Sequence, residues 1–164
     1  MIYFISIFEK IEFLFFNQNR NFIPPTSNSL LMKENVNLEL ILPVTLASVY
    51  EAWLDGQLHS AMTDGEATCS NVEGETYSTW DGYITGTNLK IVPNSLIEQS
   101  WRTADFSDSD EDSHLKIEFN EHPDGMKLTL THTNIPEGQT QYEQGWKENY
   151  FEPMTRFFSE YTDF

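Results

Sequence analysis

The most constraining feature of this 164-residue chain is a helical repeat of large apolar residues near its C-terminus. The repeat consists of Tyr142, Trp146, Tyr150, Met154, Phe157 and Tyr161. Spacings of three or four residues predict one amphipathic helix over residues 139–161, whose apolar stripe must be buried. Pro153 lies inside the repeat and lacks an amide hydrogen, so we expect the helix to bend near Asn149–Pro153.

The chain before this helix has the two-residue period of antiparallel strands. The first run alternates through Leu38, Leu40 and Leu42 and ends at Pro43. Further short runs cover residues 66–72, 75–80, 81–86, 88–92, 95–106, 114–119 and 127–133. We expect bends or bulges at Gly82 and Gly86. The last two runs form a hairpin around Pro123–Gly125, because proline and glycine both favour turns.

Two short helices are predicted between the first strand and the next. The first covers residues 47–55, is capped by Thr45 or Ser48, and is closed by Gly56; the second covers residues 57–62. A curved antiparallel sheet has one face to bury, and only the long helix is large enough to cover that face. The sequence therefore predicts an α+β fold in which the curved sheet wraps around the C-terminal helix.

The N-terminal segment differs in charge from the rest of the chain. Residues 1–31 have no net charge, so the net charge of −17 arises entirely from the remainder. Charged residues interrupt the apolar run, which argues against a membrane span, and no signal-peptide cleavage pattern is present. We expect residues 32–164 to form the domain. Residues 1–31 are then an extension outside it, or the true start is Met32.

The composition excludes several classes of protein. An acidic surface disfavours nucleic acid and anionic membranes, because both require clusters of lysine and arginine. The single cysteine, Cys69, cannot form an intramolecular disulfide, and a cytoplasmic location is expected. The acidic run Asp108–Asp112 lacks the glycine and final glutamate of a calcium loop. We predict no metal site, no cofactor and no catalytic residues, so the sequence does not favour an enzyme.

Aromatic residues come from every predicted element and could either fill the core or line an apolar cavity between helix and sheet. The residues predicted to line such a cavity are Trp80, Tyr83, Trp101, His132, Trp146, Tyr150 and Met154. His132 faces the interior with Leu128 and Leu130, either as a core residue or as a ligand contact. Arg102 could bind an anionic head group at the cavity mouth, or could pair with one of the many acids.

Several short strings between Leu38 and Phe158 occur in an order typical of one family. They are Ala52–Trp53, Asp81–Gly86, Gln99–Arg102, Leu128–His132, Ile135–Gly138, Gly145–Trp146 and Asn149–Phe151. In this combination the chain resembles the homologues of the activator of Hsp90 ATPase, of the C-terminal-domain type. Those proteins belong to the START-like (SRPBCC), birch-allergen-like helix-grip superfamily. The resemblance implies the helix-grip fold, and in many relatives a hydrophobic cavity, but transfers no catalytic residues.

Three functions remain open. The first is non-catalytic binding of a small apolar or amphipathic ligand in the cavity. The second is a protein-interaction module that docks on a chaperone or other basic partner and modulates an Hsp90-type ATPase. The third is a cyclase-like or hydrolase-like enzyme, for which His132 and Arg102 are the candidate polar groups.

Overall fold

The computed structural model describes residues 34–160. The expectations for residues 1–31 and for Tyr161 as the last member of the helical repeat lie outside the described residues. Seven strands form one antiparallel sheet in the order β1-β7-β6-β5-β4-β3-β2. They are β1 (Glu34–Leu42), β2 (Ala67–Thr68), β3 (Thr76–Thr79), β4 (Ile84–Val92), β5 (Leu96–Thr103), β6 (Ser113–His122) and β7 (Gly125–Ile135).

Two short helices follow β1, namely α1 (Leu46–Leu54) and α2 (Gly56–Thr63). Thr45 caps α1 as predicted, because its hydroxyl oxygen accepts a hydrogen bond from the Ser48 amide at 3.2 Å. Gly56 does not close α1, however. The Asp55 amide donates to the Glu51 carbonyl, and the Asp55 carboxylate accepts from the first amides of α2. One aspartate therefore ends α1 and begins α2, and Gly56 is the first residue of α2.

The C-terminal helix consists of α3 (Tyr142–Trp146), a π segment (Lys147–Phe151) and α4 (Glu152–Glu160). In the π segment the Glu152 amide donates to the Lys147 carbonyl, five residues earlier. Pro153 has no amide hydrogen and directly follows this wide turn. The irregularity predicted at residues 149–153 thus takes the form of a π segment that ends two residues before Pro153.

Strand β4 corrects the expectation for Gly86. Residues 84–92 form one continuous strand, and its irregularity lies between Asn88 and Lys90. A Cβ atom at Gly86 would lie 2.0 Å from the Ser100 carbonyl oxygen and 2.6 Å from the Tyr77 ring. Gly86 therefore permits close packing rather than a bend. Gly82 does lie in a turn, with φ of +86°.

The main core lies between the inner face of the sheet and the helices. Alternate residues of β5, β6 and β7 are buried, as the two-residue period predicts. Trp146, Tyr150, Met154 and Phe158 of the C-terminal helix belong to the same core. The α+β fold with a sheet wrapped around the C-terminal helix is confirmed.

Candidate functional site

Five buried rings meet between the sheet and the helices, and we call them the aromatic cluster: Trp53, Trp101, His132, Trp146 and Tyr150. They come from α1, β5, β7, α3 and the π segment. The centroid of Trp146 lies 4.6 Å from Tyr150 and 4.8 Å from Trp101, and the Trp53 centroid lies 5.5 Å from Tyr150. These are distances of direct ring packing, so the cluster joins the helices to the sheet.

A buried chain of hydrogen bonds crosses the cluster. The Trp146 indole donates to Nδ1 of His132 at 3.2 Å, and Nε2 of His132 lies 2.7 Å from the Ser113 hydroxyl. Because an indole nitrogen only donates, Nδ1 is the acceptor and Nε2 carries the proton. Ser113 in turn donates to the Trp101 carbonyl at 2.9 Å. Burial, with a smaller contribution from His114, lowers the pKa of His132 to about 3.

A second buried chain begins at Trp53. Its indole donates to Gln99 Oε1 at 3.1 Å, and Gln99 Nε2 donates to Asn88 Oδ1 at 2.8 Å. Asn88 Nδ2 then donates to the carbonyls of Ser70 and Val72. This chain links α1 through β5 and β4 to the loop before β3, and it satisfies polar groups that would be costly to bury alone.

His59 on α2 presents an unpaired acceptor next to the cluster. Its Nδ1 donates to the Trp53 carbonyl at 3.0 Å, so Nε2 has no proton. Within residues 34–160 the buried Nε2 atom has no hydrogen-bond partner. The ring stands edge-on to Trp53 and Tyr150. Burial lowers the pKa of His59 to about 4, and the bond to Trp53 only partly opposes that shift.

The buried indole nitrogens of Trp80 and Trp101 have no hydrogen-bond partner among the described residues. Burial raises the pKa of Tyr150 well above its usual range, and contacts with Thr79 and Trp80 partly oppose the shift. Burial likewise raises the pKa of Tyr142 to about 12, against contacts with Thr103 and Trp101. Both hydroxyls therefore remain protonated at neutral pH.

The structure brings most of the predicted cavity residues together. Trp101, His132, Trp146 and Tyr150 belong to the aromatic cluster, and the half-buried Trp80 ring lies 6.3 Å from the Tyr150 ring. Met154 is fully buried in the same core, and Tyr83 packs at its margin. The Tyr83 hydroxyl donates to Asp105, and burial raises the pKa of Tyr83 further than that carboxylate does.

Arg102 lies on the other face of the sheet from Trp101, its neighbour in β5. Its Nε donates to Asp112 Oδ1 at 2.7 Å, and its two terminal nitrogens donate to the carbonyls of Ser107 and Asp110. Arg102 therefore anchors the acidic loop between β5 and β6. The two polar candidates for an enzyme, His132 and Arg102, are not brought together, because His132 faces the interior.

Sequence reasoning missed four polar residues of the buried network: His59, Asn88, Gln99 and Ser113. Gln99 lies two residues from the buried Trp101 in β5, and Ser113 lies two residues from the buried Leu115 in β6. The two-residue period of the strands therefore indicates that both side chains lie on the buried face of the sheet. No comparable sequence signal links His59 to the Trp53 carbonyl, because that bond depends on how α2 follows α1.

Two surface depressions within residues 34–160 are lined by none of the predicted cavity residues. One is lined by Pro43–Thr45 with Glu121, Asp124 and Gly125, and the other by Glu66–Thr68 with Ser78, Asp81 and Gly82. Over the same residues, no group of three or more histidine, cysteine or acidic side chains is placed to hold a metal ion. No helix in this range is long and apolar enough to cross a membrane.

Two comparisons of fold place the chain among known structures. An HSP90 activator from Plasmodium falciparum superposes with a TM-score of 0.68 at 23% identity, covering 78% of this chain and 96% of that chain. A protein from Mesorhizobium loti superposes with a TM-score of 0.67 at 17% identity, covering 80% and 100%. At these identities the similarity shows the fold alone. A seven-stranded antiparallel sheet packed on a C-terminal helix through a common core defines a helix-grip protein.

Sequence similarity then identifies the family. The family model described as "Activator of Hsp90 ATPase homolog 1-like protein" matches residues 43–159. This chain belongs to that family, which confirms the resemblance seen in the sequence. A relative from Dictyostelium discoideum, named activator of 90 kDa heat shock protein ATPase homolog, is 30% identical over 139 residues. The match covers 82% of this chain and 34% of the relative, so the chain spans about a third of that protein's length.

Proposed function

We propose that this domain binds an Hsp90-type chaperone and modulates the chaperone's ATPase activity. The family match over residues 43–159 is the observation that carries the proposal. The names of the Dictyostelium and Plasmodium proteins, both described as activators, support it. The chain corresponds to about a third of the Dictyostelium protein. We therefore propose chaperone binding as the minimum activity, and a change in the ATPase rate as the more demanding part of the proposal.

The packing of the interior supports a role at the surface. Rings of the aromatic cluster bury their area against one another, and the Trp146 centroid lies 4.6 Å from Tyr150 and 4.8 Å from Trp101. A domain that acts by docking uses such a core as a rigid support and needs no internal space. This is why docking replaces ligand binding as the first proposal.

The net charge of the chain indicates which kind of partner surface it would dock on. A net charge of −17 favours a partner surface rich in lysine and arginine, and it accelerates the encounter at low salt. We place the interaction in the cytoplasm, where the free thiol of Cys69 would stay reduced. Burial, and to a smaller extent Asp55, raises the pKa of that thiol to about 11, so it reacts slowly.

The test is a titration of the full chain into the Hsp90-type chaperone of the same organism, with the steady-state ATPase rate as the readout. A chaperone-specific, ATP-competitive inhibitor defines the background. We expect a saturable change in rate and an association that weakens as salt is raised. If micromolar concentrations of the chain neither bind the chaperone nor change its ATPase rate, the proposal is overturned.

A second function, binding of a small amphipathic molecule in the interior, is favoured by the unpaired Nε2 of His59. A ligand hydroxyl could donate to this atom while its apolar part displaced side chains of the predicted cavity. Thermal unfolding against a panel of fatty acids and aromatic alcohols tests the idea, since a bound ligand raises the melting temperature. The shift should disappear in His59→Leu, and no shift with any compound would remove this candidate.

A further inference from the structure

Exposed apolar side chains are concentrated at one edge of the sheet. The four large apolar residues that are well exposed among residues 34–160 are Ile41, Val72, Leu89 and Val92. Val72 lies in the loop before β3, and Leu89 and Val92 lie in the second half of β4. The Val72 carbonyl accepts a hydrogen bond from the Asn88 side chain, which places the loop beside this half of β4. Three of the four residues therefore share one surface.

This part of β4 has a strand on one side only. Strand β3 pairs with β4 as far as Thr76 opposite Thr87. The loop before β3 extends the pairing by one residue, because the Gly74 amide donates to the Asn88 carbonyl and the Asn88 amide donates to the Glu75 carbonyl. Beyond Asn88, no described strand covers residues 89–92 on that side. We call residues 89–92 the open edge.

The carboxylate of Glu73 occupies the open edge in place of a strand. Its Oε1 accepts a hydrogen bond from the Ile91 amide at 2.8 Å, which is the position a neighbouring strand's carbonyl would take. Glu73 is exposed, so water competes for the same bond. An added strand could therefore displace the carboxylate at little cost and satisfy the amide with a carbonyl.

A bulge presents the apolar side chain that such a strand would contact. In the β4–β5 register Asn88 faces Gln99 and Lys90 faces Glu98, so Leu89 has no opposite residue. The extra residue interrupts the alternation, and Leu89 and Lys90 are both exposed. Leu89 thus lies exposed at the rim of the sheet rather than in the core.

The charges around the open edge favour a basic partner. Glu73 and Glu75 flank it from the loop and are both exposed. Its one cation is Lys90, which lies opposite Glu98 in the β4–β5 register, so acidic residues outnumber basic ones around the open edge. Release of Glu73 from the Ile91 amide would free its carboxylate to pair with lysine or arginine.

We propose that the open edge binds an extended segment of the chaperone that carries apolar and basic side chains. A carbonyl of that segment accepts a hydrogen bond from the Ile91 amide, and a basic side chain pairs with the displaced Glu73. The apolar side chains of the segment contact Val72, Leu89 and Val92. This inference rests on the proposed chaperone binding and assigns it a surface. It concerns only the open edge, so it can fail while chaperone binding stands.

The main test compares Leu89→Asp with Ile41→Asp, a matched control because the two side chains are 49% and 47% exposed. Affinity of each full-length variant for the purified chaperone is measured by isothermal titration, after near-ultraviolet circular dichroism shows that both fold. We expect Leu89→Asp to bind at least tenfold more weakly and Ile41→Asp to bind as the unmodified chain does. Equal affinities for all three proteins would overturn the proposal while leaving chaperone binding intact. An unmodified chain that does not bind would instead overturn the proposed function.

Glu73→Gln tests the electrostatic part, because glutamine keeps an acceptor for the Ile91 amide and loses the charge. We expect this variant to bind severalfold more weakly and with a smaller salt dependence than the unmodified chain. Hydrogen exchange of the Ile91 amide supplies the second readout, since strand addition should slow it in the complex. Tighter binding by Glu73→Gln, or unchanged exchange at Ile91 under saturation, would contradict strand addition by a basic segment.

Discussion

Trp146 on the C-terminal helix donates a hydrogen bond to His132 on β7, and this 3.2 Å contact is a polar link between helix and sheet inside the core. Nε2 of His132 donates a hydrogen bond to the Ser113 hydroxyl on β6, and that hydroxyl donates to the Trp101 carbonyl on β5. His132 and Ser113 each accept one hydrogen bond and donate the next, so the chain runs in one direction from Trp146 to Trp101. The histidine is therefore a satisfied core residue whose tautomer is set by its neighbours.

Loss of the link should destabilise the fold. Trp146→Phe removes the donor, leaves Nδ1 of His132 unpaired and reduces the packed volume, so we expect a loss of about 2–4 kcal/mol in the free energy of unfolding. Urea unfolding measures it. A double-mutant cycle with His132→Leu should give a coupling of about 1 kcal/mol or more. Lys147→Gln on the same helix breaks only an exposed pair with Glu143 and should cost less than about 0.5 kcal/mol. Additive effects of the two core substitutions would show that the contact contributes nothing.

The two buried histidines predict a loss of stability in mild acid. Their folded-state pKa values are lowered to about 4 for His59 and about 3 for His132, whereas the unfolded chain has pKa values near 6.5. Above pH 6.5 both states hold neutral imidazoles and this effect is absent. As the pH falls below 6.5, the unfolded chain takes up two protons that the folded protein does not, so stability falls down to the folded pKa values.

At about 1.4 kcal/mol per pKa unit, the full effect is roughly 3 kcal/mol for His59 and roughly 5 kcal/mol for His132. Urea unfolding at a series of pH values between 7 and 4.5 gives the slope of stability against pH. In His132→Gln the slope of stability against pH should be smaller, because the unfolded variant takes up one proton fewer than the unmodified chain. A free energy of unfolding that is flat over this range would contradict the buried, neutral state of both rings.

Two glycines are expected to respond to alanine in opposite directions. Gly86→Ala places a Cβ 2.0 Å from the Ser100 carbonyl and 2.6 Å from the Tyr77 ring, so we expect a loss of about 3 kcal/mol or more. Gly145→Ala meets only the Asn149 side chain at 3.8 Å and should stabilise the helix by up to about 1 kcal/mol. Melting temperatures of the two variants decide the matter. A decrease for Gly145→Ala would reveal a close contact at that helix position.

Arg102 is expected to order the acidic loop without affecting the core. Arg102→Lys keeps the charge but cannot reach Asp112 and the carbonyls of Ser107 and Asp110 together. Hydrogen exchange of residues 107–112 should become about tenfold faster, which corresponds to about 1.4 kcal/mol of local opening. Global stability should change by less than about 1 kcal/mol, because the pair with Asp112 is partly exposed. Lys116→Gln, which breaks a pair on the same sheet face, is the control and should leave the loop unchanged.

Local patterns were sufficient for most of the fold. Alternation through Leu38, Leu40 and Leu42 predicted β1, and the Pro123–Gly125 turn predicted the β6–β7 hairpin. These signals are reliable because the period of a strand or helix depends on neighbouring residues alone. The predictions for Gly56 and Gly86 were wrong for one reason. A glycine marks a special position, but the sequence does not reveal whether that position is a helix end, a bend or a close approach.

The sequence by itself determined the order of elements, the inner face of the sheet, the net negative charge and the family. It also placed Trp101, His132, Trp146 and Tyr150 on faces that point inward. Only the tertiary structure decided that these rings touch one another, that Arg102 turns away to hold a loop, and that Glu73 occupies an open edge of β4. Those outcomes depend on sheet register, on the bulge at Leu89 and on the angle at which the helices cross the strands. Each is set by contacts between residues far apart in the chain, which no local period records.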